Sequence, residues 1–135
     1  YGEIPGFPAP RVAGHAGLFG TARALARFAY DVWIDDTLGL GATRDAFLAI
    51  DPATEGPPRA LGFDVPTTGS TAGALGEGSR VFGHLGFTGC SLWLDLDRKV
   101  CVVLLTNRTL PGRDRVEGIR ALRPAFHDAV AAALP

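Results

Sequence analysis

The sequence predicts an α/β protein of the α+β type, an antiparallel sheet flanked by helices, and three observations carry that expectation. Two long apolar runs, Phe82–Asp95 and Val100–Asn107, are joined by the short charged turn Leu96-Asp97-Arg98 and read as an antiparallel hairpin. Leu18, Leu25, Phe28, Val32 and Trp33 recur at spacings of three, four and seven, the period of a helix with one inward face. Phe126, Val130, Ala133 and Leu134 repeat that period near the C-terminal end, as a stripe that would pack on the sheet.

Residues 1–20 are rich in proline and glycine, which forbids regular structure and predicts a loop. Thr21 caps or opens a helix reaching Trp33. Gly39-Leu40-Gly41 interrupts the pattern, and Thr43 caps a shorter helix through Ile50 with Phe47 and Ile50 turned inward, ended by Pro52, Pro57 and Pro58. Ala60–Val65 alternates, which predicts a strand presenting Leu61, Phe63 and Val65 on one side. Pro66 stops it, because proline has no N–H for a ladder. Thr67–Arg80, rich in Gly, Ser, Thr and Ala, reads as a flexible loop, either a plain connection or the border of a cleft. Beyond Pro111-Gly112 the segment Arg113–Arg123 shows no clear period, and Pro124 suits the first position of the terminal helix, with His127 on its surface.

Composition fits a piece of a globular domain: 135 residues, 47% hydrophobic, 20% charged, net charge −1. Twelve arginines are spread along the chain instead of forming a basic stripe, which argues against a nucleic-acid partner. No apolar run reaches the roughly 18 to 20 residues of a membrane span. The longest, Leu92–Leu105, is broken by Asp95-Leu96-Asp97-Arg98-Lys99. Two cysteines, Cys90 and Cys101, are too few for a disulfide scaffold. With Asp95 opposite Arg98 they are diagonal neighbours, a poor disposition for a bridge, so two buried free thiols are expected.

Other chemistries lack their spacing. His15, His84 and His127 have no metal-ligand pattern, and neither metal nor cofactor is expected. Gly83, Gly86 and Gly89 open a strand, whereas a phosphate-cradling loop opens a helix. Asp95 and Asp97 are turn residues with Arg98 and Lys99 beside them, not paired glycosidase acids.

The most informative stretch is Phe82-Gly83-His84-Leu85-Gly86-Phe87-Thr88-Gly89, running into Cys90-Ser91-Leu92-Trp93-Leu94-Asp95. A second block, Ala13-Gly14-His15-Ala16-Gly17-Leu18-Phe19-Gly20-Thr21-Ala22, is a glycine-rich loop feeding a helix, and a third, residues 102–108, is a strand ending in Thr106-Asn107-Arg108. In these three blocks the chain resembles the serine β-lactamase and penicillin-binding-protein-like hydrolases, with their class C, esterase and D-aminopeptidase relatives. The resemblance implies the C-terminal part of a β-lactamase/transpeptidase-like fold. It implies that His84-Leu85-Gly86 is the family's third motif, a Lys-Thr-Gly or His-x-Gly triplet on the strand bordering the active site. It further implies catalytic roles for His84, Gly86 and Phe87, the last through a backbone N–H on the oxyanion, and substrate contacts by Thr88 and Leu85.

His84 stands where many relatives carry lysine, so its charge near neutrality is conditional, and it would polarise the serine–base network or bind a substrate carboxylate. Gly86 would let substrate lie close against the strand. Leu85 replaces a hydroxyl or small residue, and with His84 this departure favours an esterase-like or peptidase-like member, or one with little activity, over a β-lactamase. His15 is expected to hold its loop by a hydrogen bond.

The family's nucleophile is the serine of Ser-x-x-Lys, with the lysine one helical turn away to activate it. Lys99 is the only lysine and Leu96 lies three residues before it, so the motif is missing. Tyr-x-Asn is missing as well, because the tyrosines lead into Tyr1-Gly2-Glu3 and Tyr30-Asp31-Val32. The chain holds no methionine and starts at Tyr1. Residues 1–135 are therefore expected to be the C-terminal portion of one catalytic domain, inactive alone. Its expected partners are the N-terminal part of the same protein and a small-molecule or peptide-like substrate, with a homo-oligomer open and the compartment, cytoplasm or periplasm, undecided. The alternative is a non-catalytic binding or structural relative of the same fold, which only upstream sequence separates from the enzyme.

Overall fold

Five short strands form one antiparallel sheet in chain order: β1 (Arg59–Ala60), β2 (Phe63–Asp64), β3 (Val81–Leu85), β4 (Ser91–Asp95) and β5 (Val100–Leu104). The computed structural model describes residues 18–51, 55–78, 80–110, 112, 114 and 116–134. The expectations for residues 1–17, including His15 and most of the glycine-rich block, lie outside the described residues.

Each face of the sheet carries a helix. Trp93 of β4, Val81 of β3 and Val102 of β5 form a core with Ala72 and Leu75, and Phe126, Val130 and Ala131 of the C-terminal helix α3 (Val116–Ala133), with Leu134 just beyond it, pack on it. Cys101, between Val100 and Val102, points to the opposite face by strand alternation. There it borders a surface hollow with Ala26, Arg27 and Tyr30 of α1 (Ala22–Trp33). The antiparallel sheet between helices agrees with the fold class read from the sequence.

The helices differ from their predicted faces. Thr21 caps α1 as expected, its Oγ1 accepting from the Ala24 N–H at 3.1 Å. The side packed down, however, holds Ala29 and Val32, while Leu25 and Phe28 stay 38% and 61% exposed and Leu18 84%. Of the expected stripe, Val32 is buried and Trp33 packs on Phe63, while Leu18, Leu25 and Phe28 are left outward. The next helix, α2 (Ala42–Phe47), starts after Gly41 and not at Thr43, because the Asp36 carboxylate takes the Leu40 and Gly41 N–H groups at 2.7 and 2.9 Å. Leu48, which caps its C-terminal end, is buried, whereas Phe47 and Ile50 are exposed.

Ala60–Val65 is not one strand. Leu61-Gly62 forms a two-residue turn, with Gly62 at φ +78, and pairs Ala60 with Phe63. Phe63 then packs edge-on against Trp33 at 5.0 Å and Phe82 at 6.5 Å, while Leu61 at the turn stays exposed. Phe82–Asp95 is likewise two strands, broken at Gly86–Cys90. The β4–β5 register sets Asp95 opposite Val100, so the loop holds residues 96–99 and Cys101 faces Leu94. The Asp95 carboxylate, 1% exposed, closes this loop by accepting from the Asp97 and Arg98 N–H groups and from Arg98 Nη1.

Thr67–Arg80 departs most from expectation. Its described part is not a flexible loop but packs beneath α3 as a 3₁₀ turn, Gly73–Glu77, with Ala72 and Leu75 fully buried. The Asp128 carboxylate of α3 accepts from the Ala74 N–H at 2.6 Å, and a Cβ on Gly73 would collide with it. Finally, α3 begins at Val116 and carries Pro124 inside. An interior proline costs about 3 kcal/mol. Ile119, Arg123 and His127, buried on one face on both sides of it, supply the packing that offsets this.

Candidate active site

The motif occupies the end of β3 and the turn into β4. Gly83 must be glycine here, since a Cβ would run into the Leu92 carbonyl and the Trp93 ring that lies across it. His84 pairs with Leu92 and Leu85 with Ser91. Leu85 is half-buried against the Trp93 core on the α3 side. His84, one residue earlier, is exposed and faces the α1 side. The two residues assigned to one site by sequence therefore occupy opposite faces of the sheet. Gly86 lies tight against β4, where a Cβ would sit 3.3 Å from Cys90 Cβ.

Beyond Leu85 the chain reverses in a compact turn. The Gly86 N–H donates to the Cys90 carbonyl at 2.8 Å and the Gly89 N–H to the Gly86 carbonyl at 3.0 Å, with Gly89 at φ +105. This is a hairpin turn that ends in a left-handed glycine bulge. Because the Gly86 carbonyl points across the hairpin, planarity of the trans peptide sends the Phe87 N–H away from β4. That N–H donates to no acceptor among the described residues. β2 meets β3 at the single pair Asp64↔Gly83, so this edge has no strand beside it from His84 onward among the described residues.

Two arginines grip the turn. Arg123 of α3, 7% exposed, donates from Nη2 to the Gly86 carbonyl at 2.7 Å and the Cys90 carbonyl at 2.8 Å, and from Nε to the Gly89 carbonyl at 3.1 Å. Burial lowers its pKa, yet a guanidinium remains charged at physiological pH. Arg108 donates from Nε to the Phe87 carbonyl at 2.7 Å and lays its guanidinium 4.4 Å from the centre of the Phe87 ring. Its own N–H meets the Thr88 carbonyl at 2.8 Å. Thr106 Oγ1 donates to the same carbonyl, and Cys90 Sγ donates to the Thr106 carbonyl. Thr88 itself is half-buried, with Oγ1 3.6 Å from Cys90 Sγ. The Thr-Asn-Arg block thus braces the turn that follows the His-x-Gly strand, although 16 to 21 residues separate the partners.

Arg108 stood in a motif recognised from sequence, but its contact with Phe87 is not readable there. Arg123 was missed. Its one signal is a charged residue at the i+4 position between Ile119 and His127, on what proves to be the inward face of α3. His127 was placed on the surface and is 0% exposed. Its Nδ1 lies 2.7 Å from the Thr71 carbonyl, an obligate acceptor, so Nδ1 carries the proton and Nε2 accepts from Ser91 Oγ at 3.2 Å. Ser91, 3% exposed, ties β4 to α3 and does not face the turn's open edge. Among the described residues no group of three or more His, Cys, Asp or Glu side chains could hold a metal, and no helix is long and apolar enough to cross a membrane.

Comparison with known proteins agrees with this architecture. The solved structure of a β-lactamase from Mycobacterium bovis superposes with a TM-score of 0.68 at 26% identity, covering 84% of this chain. The chain spans 44% of the length of that protein. No curated protein matches. The β-lactamase family model matches residues 1–126, from the glycine-rich loop through the sheet into α3, and the chain is accordingly a member of the β-lactamase family.

Proposed function

We propose that this chain is the C-terminal part of a serine hydrolase domain that cleaves an ester, amide or lactam bond through an acyl-enzyme. The observation that carries the reading is the Phe87 N–H, which has no acceptor among the described residues and projects from a turn fixed by two guanidinium groups. A donor held in place beforehand costs no reorganisation when an oxyanion forms, and one such donor changes the rate by about 10² to 10³. Arg108 and Arg123 add positive potential on the same turn. His84, exposed on the α1 side, would meet the serine–base network or a substrate carboxylate. Thr88 and Leu85 are the proposed substrate contacts, and Gly86 the point of close approach.

The nucleophile and its lysine would come from sequence outside these residues, in keeping with the chain spanning 44% of the solved relative. The exposed Leu18, Leu25 and Phe28 would be covered by that same part. In the complete protein a fluorophosphonate probe should label one serine, and His84→Ala should lower acylation by a short p-nitrophenyl ester by about 100-fold without altering the fold. Absence of any labelled serine would sink the enzyme reading, and unchanged kinetics would remove His84 from the site.

A further inference from the structure

We infer that Arg123 is a positioning residue that aims and polarises the Phe87 N–H as an oxyanion donor. The inference rests on the acyl-enzyme reading above. The peptide that carries this N–H is the Gly86–Phe87 unit, and its other end is the Gly86 carbonyl. That carbonyl takes two hydrogen bonds, from the Gly89 N–H at 3.0 Å and from Arg123 Nη2 at 2.7 Å. The remaining Arg123 bonds, to the Gly89 and Cys90 carbonyls, fix the other side of the same turn. One guanidinium therefore sets the plane of the peptide, and trans planarity transmits that setting to the N–H across the bond.

The contact is electronic as well as steric. A cation on the carbonyl oxygen draws charge through the amide and makes the opposite N–H a stronger donor, the cooperative effect of hydrogen bonds in series. Arg123 is suited to this because its planar fork reaches three carbonyls from two separate nitrogens, whereas an ammonium concentrates its donors at one point. No carboxylate among the described residues lies within ion-pair distance of it, so its donors are committed to the turn. Burying an arginine to serve three main-chain carbonyls is costly unless each bond is made. The second arginine secures the next peptide, since Arg108 holds the Phe87 carbonyl. Phe87 is thus flanked by two arginine-held carbonyls while its own N–H is left for a ligand.

The experiment uses the complete protein, wild type, Arg123→Met and Arg123→Lys, with a short p-nitrophenyl ester and with phenylboronic acid, whose tetrahedral serine adduct mimics the oxyanion. Arg123→Met should lower kcat by about 10- to 100-fold, the range expected for a misdirected donor. KM should hold nearly constant, and boronate affinity should fall by the same factor as kcat. Arg123→Lys should recover part of both, and it replaces Arg123→Met if that variant fails to fold. Equal kcat and boronate affinity in wild type and variant would overturn the inference alone, as would a loss confined to KM or to the melting temperature. A wild-type protein that never acylates would remove the hydrolase reading and this inference together.

Discussion

Cys101 shows how a single side chain takes its chemistry from position. Its neighbours Val100 and Val102 belong to the α3 face, so alternation turns it beneath α1, where burial pushes the thiol up to about 11. Cys90 lies at the other end of the hairpin, just before β4, with its Sγ donating to the Thr106 carbonyl, and both thiols are free and half-buried, less buried than the sequence suggested. The register that sets Cys101 opposite Leu94, not Leu92, also differs from expectation, because the turn holds four residues with Lys99 at φ +54. Only the thiolate attacks, and at pH 7 it is roughly one part in 10⁴ of such a thiol. In a Cys90→Ser background, Cys101 should therefore react slowly with an aromatic disulfide reagent at neutral pH, about tenfold faster per pH unit as the solution becomes alkaline. Rapid labelling of the folded protein at pH 7 would contradict the burial.

At the scale of elements, α3 is the organiser. It docks through Ile119, Arg123 and His127, of which only the first is a residue type that sequence reading assigns to a core. The Asp128 and His127 contacts explain why the preceding glycine-rich segment is ordered: its Ala74 N–H and Thr71 carbonyl are hydrogen-bonded to side chains of α3. His127 gives this packing a pH dependence. Burial holds its folded-state pKa below the ordinary 6.5, so the unfolded chain takes up the proton first as pH falls. Stability is complete above about pH 6.5 and declines as the pH drops through that value towards the lower folded one. The groups facing the ring act in both directions, Arg123 lowering and Asp128 and the Thr71 carbonyl raising its pKa, with burial the largest effect. Melting temperature should thus fall between about pH 7.5 and about pH 5.5, and His127→Gln should flatten the slope. An equal slope in the variant would assign the pH dependence to other groups.

Among the described residues of the whole molecule, one face of the sheet is closed by a core and the other carries exposed apolar side chains. On the α3 side, Ala72, Leu75, Val81, Trp93 and Val102 form a closed core. On the α1 side the large residues Leu18, Leu25 and Phe28 point outward, beyond the helix that covers β4 and β5. By itself this chain should hydrolyse neither nitrocefin nor a short p-nitrophenyl ester, and it should bind a hydrophobic dye through that stripe. Turnover by rigorously purified chain would refute the assignment of the nucleophile to another segment.

The family, the antiparallel sheet, the β4–β5 hairpin and the capped α1 were legible in the sequence, because these rest on local signals: glycine-spaced motifs, strand alternation, a charged turn and a capping threonine. The motif was expected to open a strand and instead ends β3, because the turn at Gly86–Gly89 splits the run. Much else was decided only by the tertiary structure. The inward face of α1 kept the expected Val32 but added Ala29 in place of Leu25 and Phe28, a choice that hydrophobic periodicity alone cannot make. Ala60–Val65 and Phe82–Asp95 each looked continuous, since a two-residue turn at Leu61-Gly62 and a bulged one at Gly86–Gly89 are short enough to preserve alternation. Arg123 and His127 carry polar atoms whose partners lie 33 to 56 residues away in the chain, so nothing near them in sequence announces that they are buried. The Arg123 bond to the Gly86 carbonyl is of this long-range kind, and it exists only once α3 has docked.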